Sequence, residues 1–124
     1  MTYYSVHVIM IVVFEEGPQD DFPIWMNIYL VPAENADQAY SLGIKCAVDE
    51  AETTSGFTCD DRPASLRFAG VRSVWRVIDF NDAGLKLAKP IEIAAIQMQV
   101  KKDSDVSALI QGDEVPVLLD DLKF

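Results

Sequence analysis

The sequence predicts a single α+β domain, in which one helix lies on one face of a four-stranded antiparallel sheet and the elements follow the chain order β-β-α-β-β. Two strand-like apolar segments come first, separated by a short polar loop; a segment with helical periodicity follows, and then two more strand-like segments. The 124 residues are the size of one domain. Half of them are apolar, so a buried core is expected and disorder is not.

Residues 5–14 and 24–31 predict the first two strands. In the first segment both alternating sets of positions are apolar, which is typical of a central strand covered on both faces. In the second segment one face is aliphatic and the other is more amphipathic. The loop of residues 15–23 between them predicts an antiparallel hairpin. The aliphatic face comprises Ile24, Met26, Ile28 and Leu30, and the other comprises Trp25, Asn27, Tyr29 and Val31.

The following segment predicts the helix. Asn35 and Gln38 resemble a capping box at its start. The helix is expected to end before Thr53, with Gly56 in the left-handed conformation beyond it. The apolar stripe expected to face the sheet comprises Ala36, Tyr40, Gly43, Ile44, Ala47, Val48 and Ala51.

Residues 66–80 and 91–101 predict the third and fourth strands. The apolar phase of the third slips at Ala69-Gly70, which predicts a β-bulge there. With that bulge Arg67, Arg72 and Arg76 fall on one face and form a basic stripe. The spacing of residues 91–101 also fits a helix, but the isoleucines favour a strand.

A single helix cannot cover both faces of such a sheet. Residues 1–102 are therefore expected to form the domain, while the acidic C-terminal tail, residues 103–124, packs on the domain or on a partner. A second subunit is the other possible cover and is favoured, because an uncovered apolar face marks an interaction site. The sequence accordingly predicts a homodimer.

Charge is sorted into blocks along the chain. Residues 15–61 sum to −10, residues 62–102 to +5 and residues 103–124 to −5, which gives the net charge of −10. Such a field repels nucleic acid and anionic membranes and attracts basic proteins. The acids expected to be free for a partner are Glu15, Glu16, Asp20 and Asp21 in the first loop and Asp49, Glu50 and Glu52 near the helix end.

Three segments carry a resemblance: a YSV opening strand, a helix beginning AENADQAYSLG, and a strand with RFAGVRSVWRV. They resemble a family of small bacterial domains of unknown function, numbered 4288, over roughly residues 3–100. The resemblance implies an α+β fold and a bacterial source. These are packing motifs, so it implies no catalytic or binding residues.

Residues able to carry out chemistry are few. His7 is the only histidine, which excludes a two-histidine metal site, and a hydrogen-bonded strand histidine is the expected role. Cys46 and Cys59 form no CxxC pair, and two cysteines are typical of a cytoplasmic protein. The first apolar segment is too short to span a membrane. Neither an enzyme nor a cofactor is expected.

Two alternatives use other residues. The stripe of Arg67, Arg72 and Arg76 could bind a phosphate or carboxylate ligand, although intramolecular ion pairs are the more common role of such arginines. The segment from Asp103 to Glu114 has the oxygen-bearing positions of a calcium-binding EF-hand loop, but Ala108 stands where the sharp turn needs glycine. A polar loop is the simpler interpretation.

The sequence therefore predicts a cytoplasmic, non-enzymatic, acidic protein-binding domain. An immunity or antitoxin-like protein that captures a basic partner fits this description. The alternative is a domain that senses a small ligand or a metal ion through the arginine stripe or the Asp103–Glu114 loop.

Overall fold

A computed structural model describes residues 2–54, 56–78 and 87–119. The chain is an α+β domain with an antiparallel sheet, as predicted. It has two helices, whereas the sequence predicts one. In chain order the elements are β1 (Thr2–Phe14), β2 (Phe22–Ala33), α1 (Ala36–Thr53), β3 (Phe57–Cys59), β4 (Arg62–Arg76), β5 (Ile91–Val100), α2 (Asp103–Ile110) and β6 (Leu118–Leu119).

The sheet has the strand order β3-β4-β1-β2-β5-β6, and all neighbours are antiparallel. The four-strand prediction is wrong, because β3 pairs with the start of β4 and β6 pairs with the end of β5. These two additional strands have three and two residues. Segments so short show no alternation in the sequence, whereas the four long strands are those that the periodicity predicts.

The sheet curls strongly around the face that carries α1. Trp25 on β2 and Phe57 on β3 have ring centroids 5.6 Å apart, although β4 and β1 lie between their strands. In a flat sheet the same strands would be about 14 Å apart. The curl therefore creates a concave face, which holds α1, and a convex face.

β1 is the central strand and is buried on both faces, as its sequence predicts. Its even-numbered apolar residues, such as Val8 and Met10, lie in the core beneath α1. Ile9 and Ile11 point to the convex face. There they pack with Ile24 of β2, Met98 and Val100 of β5, and Val106 and Leu109 of α2.

α1 begins as predicted, because the side chain of Asn35 accepts a hydrogen bond from the backbone of Gln38. The predicted packing face is partly wrong, since Tyr40 is 46% exposed and Val48 is 37% exposed. The buried face instead runs along three small residues at four-residue spacing, Ala39, Gly43 and Ala47. Small side chains let a helix approach a sheet closely, and a β-carbon placed on Gly43 would lie 2.5 Å from Val6 Cγ1.

The C-terminal segment contains a helix that the sequence analysis did not predict. α2 covers one end of the convex face through Val106 and Leu109, so part of that face is covered within the chain itself. The homodimer stays a prediction. The calcium-loop interpretation of this segment is wrong, because residues 103–110 are helical and do not form a loop around an ion.

The bulge at Ala69 is confirmed by the register shift opposite Ile9 and Met10. A second shift, opposite His7 and Val8, leaves Arg72 without a partner residue on β1. Together the two shifts place Arg67 opposite Ile11 on the convex face. Arg76 lies opposite Tyr4, whose side chain points to the concave face. The predicted stripe of three arginines on one face is therefore wrong.

Candidate functional site

The acidic loop between β1 and β2 is at the surface. Its four carboxylate residues are exposed, as expected from the sequence, and among the described residues none of them is in an ion pair. Four unpaired charges of one sign therefore lie within one short loop. They are Glu15, Glu16, Asp20 and Asp21.

Arg62 at the start of β4 holds one side of this loop. Its Nη2 donates to the backbone oxygens of Glu16, at 2.6 Å, and Pro18, at 2.8 Å. The guanidinium also lies 3.8 Å from the centroid of the Phe14 ring. Arg62 thus contacts backbone and an aromatic face, and it leaves the loop carboxylates unneutralised.

Gln19 holds the other side of the loop. Its Oε1 accepts from the backbone nitrogen of Phe14, at 3.0 Å, and its Nε2 donates to the backbone oxygens of Val12 and Asp21, at 3.2 and 2.9 Å. A loop with such internal bonds is preorganised, so less conformational entropy is lost when it binds a partner.

The three helix acids are not equivalent. Asp49 and Glu52 are exposed, as expected, but Glu50 is partly buried and bonded. Its Oε2 accepts one hydrogen bond from Asn27 Nδ2, at 3.1 Å, and another from the hydroxyl of Tyr29. The expectation that Glu50 is a free surface carboxylate is therefore wrong.

Glu50 belongs to a polar cluster on the concave face, which we call the Glu50 cluster: Asn27 and Tyr29 on β2, Glu50 on α1 and Glu92 on β5. Glu92 lies directly opposite Tyr29 in the sheet. The alternation of β2 predicts that Asn27 and Tyr29 share one face, but no sequence pattern connects them with Glu50 or Glu92. An amide among the apolar residues of β2 was the available signal.

Two carboxyl groups meet in this cluster, and the pKa values reflect it. Glu92 is exposed as a residue, but partial burial of its carboxyl group raises its pKa, and the negative charge of Glu50 and a shared side-chain hydrogen bond raise it further. The pKa of the Tyr29 hydroxyl is also raised, first by burial and then by its hydrogen bond to Glu50. The tyrosine therefore stays protonated and acts as a donor.

The raised pKa of Glu92 predicts a pH dependence of stability. The folded state binds this proton more tightly than the unfolded state does, so stability should fall as pH rises through and above the ordinary value of 4.5. Glu92→Gln should remove the part of the pH dependence of stability that this carboxyl group causes. Thermal melts between pH 4 and 7 would measure it, with the exposed Glu52→Gln as the control. Parallel profiles for Glu92→Gln and the unmodified chain would contradict the prediction.

A groove of about 390 Å³ opens where the curl brings β3 close to β2 and to the C-terminal half of β5. Trp25 and Phe57 form an aromatic wall, and Gln97 and Gln99 contribute amides from β5. Asp60 contributes a carboxylate from the turn between β3 and β4. Grooves with aromatic walls and a few polar groups are typical ligand sites.

A second cavity, of about 680 Å³, lies just beyond the C-terminal end of β5 and shares Gln99 with the first. It is lined by the acids Asp21 and Asp105, the bases Lys101 and Lys102, and apolar residues such as Val117. The two signs of charge balance there, so this cavity does not favour a ligand of either sign.

The predicted arginine site is not assembled. Arg72 Nη1 donates to the backbone oxygens of Leu109, at 2.7 Å, and Asp113, at 3.1 Å, so its guanidinium binds the C-terminal end of α2. His7 is a hydrogen-bonded strand histidine, as expected, with Nε2 3.3 Å from Ser5 Oγ. Burial and the positive charge of Arg72 lower the pKa of the His7 imidazole.

Comparison with known proteins adds no function, because no protein-family model, no curated protein and no solved structure matches this chain. The resemblance described from the sequence therefore stays a prediction. In the described ranges, neither helix is long and apolar enough to cross a membrane. The same ranges contain no cluster of three or more histidine, cysteine or acidic residues suited to a metal ion.

Proposed function

We propose that this chain is a non-enzymatic acidic binding domain, of the immunity or antitoxin kind, that captures a basic protein in the bacterial cytoplasm. The observation that supports it best is the β1–β2 loop. Arg62 and Gln19 fix the loop through its backbone, while four exposed carboxylates remain unpaired.

Charges of this kind act mainly on the rate of association. A rigid acidic surface on a chain of net charge −10 attracts a basic partner over roughly a Debye length, which is about 8 Å at physiological ionic strength. Exposed charges at the rim of an interface contribute less to the lifetime of a complex than to its rate of formation. The loop is therefore assigned to the encounter step.

The experiment is to reverse the loop quartet to lysine and to measure association with the basic protein that copurifies from the native host. We expect slower association and a weaker dependence on salt, because the steering charge is lost. Folding should be preserved, since surface substitutions usually change stability by about 0.5 kcal/mol or less.

A matched control separates position from total charge. Reversing four other exposed acids gives the same net charge with the loop intact, and this variant should associate faster than the quartet variant. Equal rates for the two variants would assign the acids to solubility alone and would contradict the proposal. The control acids are Glu34, Asp37, Asp113 and Glu114.

The predicted homodimer is a separate proposal. Light scattering after size-exclusion chromatography at micromolar concentration would test it, and a monomer would contradict it. A second subunit could cover exposed apolar residues of the sheet, such as Trp75, which is 63% exposed, and Ile91.

A further inference from the structure

We propose that the Glu50 cluster is a receptor for one guanidinium group, supplied by an arginine side chain of the basic partner. This inference rests on the proposed function for the identity of the partner, but it concerns a different part of the molecule. The acidic loop acts before contact, whereas the cluster would hold one residue of the bound protein.

The Glu50 cluster has more hydrogen-bond acceptors than donors. Asn27 Nδ2 and the Tyr29 hydroxyl both donate to the same oxygen of Glu50, Oε2. The other oxygen of Glu50 and the carboxyl group of Glu92 receive no donor from these two groups. Among the described residues no lysine or arginine forms an ion pair with either carboxyl group.

Asn27 has a buried oxygen that lacks a partner. This residue is 0% exposed, and its Oδ1 is a buried oxygen without a hydrogen-bond partner. The nitrogen of the same amide binds Glu50, so the unpartnered oxygen belongs to the same cluster. Buried polar atoms are normally hydrogen-bonded, and exceptions point to strain or to a function.

A guanidinium is the cation that fits the cluster best. A guanidinium has five N–H donors in one plane and is always charged, which suits several oxygens on neighbouring side chains. Trp25 lies two residues from Asn27 on the same face of β2, and with Phe57 it provides the aromatic surface on which arginine stacks. A metal ion is disfavoured, because the cluster has only two of the side chains that ligate metals strongly.

Access is from the β5 side. α1 packs on β4, β1 and β2, and the residues of β5 from Ile91 to Ala95 are exposed. Ala95 lies directly opposite Asn27, so β5 places only a methyl group beside it. Glu92 lies in this exposed segment, so a side chain that approaches along it can reach the carboxyl group of Glu92 and that of Glu50 beside it.

The cation would take the place of a proton. Glu92 faces Glu50 of α1 and Tyr29 of β2, and its carboxyl pKa is raised, so Glu92 retains a proton more readily than an isolated glutamate does. Binding a guanidinium requires Glu92 to be ionised and releases that proton. Binding should accordingly weaken as pH falls through the pKa of Glu92.

The test uses N-acetyl-argininamide and, as the matched probe without charge, N-acetyl-citrullinamide. The side-chain amide of Asn27 and the indole N–H of Trp25 would be followed by NMR at constant ionic strength. We expect saturable shifts with the arginine probe alone. Equal shifts with citrulline, or with magnesium chloride, would overturn the proposal.

Variants sharpen the assignment. Glu92→Gln, on an exposed strand position, should weaken arginine binding at least tenfold, while Glu52→Gln on the exposed side of α1 should leave it unchanged. Equal effects of the two substitutions would contradict a receptor at the cluster. Glu92→Gln is preferred to Glu50→Gln, because Glu50 also connects α1 to β2 and its loss could impair folding.

The result is distinguishable from the test of the acidic loop. The quartet variant should bind the arginine probe as tightly as the unmodified chain does. Loss of probe binding in Glu92→Gln together with unchanged association in the quartet variant would support the receptor and overturn the loop assignment. The absence of probe binding with a slowed quartet variant would overturn only the receptor.

Discussion

Replacement of Arg72 by methionine is expected to lower the free energy of unfolding by about 1.5–3 kcal/mol, the range found for hydrogen bonds to charged groups. The Arg72 guanidinium binds the backbone oxygens of Leu109 and Asp113 at 2.7 and 3.1 Å. Loss of Arg72 would leave these two backbone carbonyls, at and just beyond the C-terminal end of α2, without their hydrogen-bond donor. Urea unfolding monitored by circular dichroism would measure the change.

Arg67→Met is the matched control for this substitution. Arg67 lies on the same strand and is exposed, so its replacement should change stability by about 0.5 kcal/mol or less. Hydrogen exchange would show where the effect of Arg72→Met lies, with faster exchange expected in α2. Equal stabilities of the two variants would mean that the arginine does not anchor the helix.

Substitution of Gly43 by alanine should also destabilise the protein, by about 1–3 kcal/mol, although alanine is the better helix former. The added β-carbon would lie 2.5 Å from Val6 Cγ1, and Val6 is fully buried in the central strand. Ser41→Ala is the control, because it adds helix propensity at an exposed position and should be slightly stabilising.

A double substitution tests the cause of that loss. Val6→Ala removes the methyl groups that the new β-carbon would contact, so Gly43→Ala should be much less costly in the Val6→Ala background. The coupling between the two positions is read from chemical denaturation of all four chains in a double-mutant cycle. Additive effects would show that the helix shifts without strain and would contradict the close contact.

Much of the fold could be predicted from the sequence, because the long elements have clear periodicity. β1 and β2 have the apolar patterns of their buried faces, and Asn35 caps α1 as expected. The face of α1 was predicted wrongly since hydrophobicity favours Tyr40 and Val48, whereas the close approach to the sheet selects small residues. α2 was missed because eight residues give little more than two helical turns.

The candidate sites differ in how far they could be predicted. The acids of the β1–β2 loop are adjacent in the sequence, so their exposure could be predicted from composition and loop chemistry. The Glu50 cluster combines three elements, and no local pattern reports a contact between positions 27, 50 and 92. The stripe of three arginines was predicted from the sequence but is not formed. An additional bulge at Arg72 moves every later residue of β4 to the opposite face.

The position of β1 has a consequence for the order of folding. It pairs with β2, which follows it directly, and with β4, which begins at Arg62, while its convex face packs with α2, which begins at Asp103. A nascent chain can form the hairpin early but completes neither core until distant segments emerge. Such non-local pairing slows folding and exposes aggregation-prone strands in the interval. Chaperone dependence during synthesis would be the physiological expression of that delay.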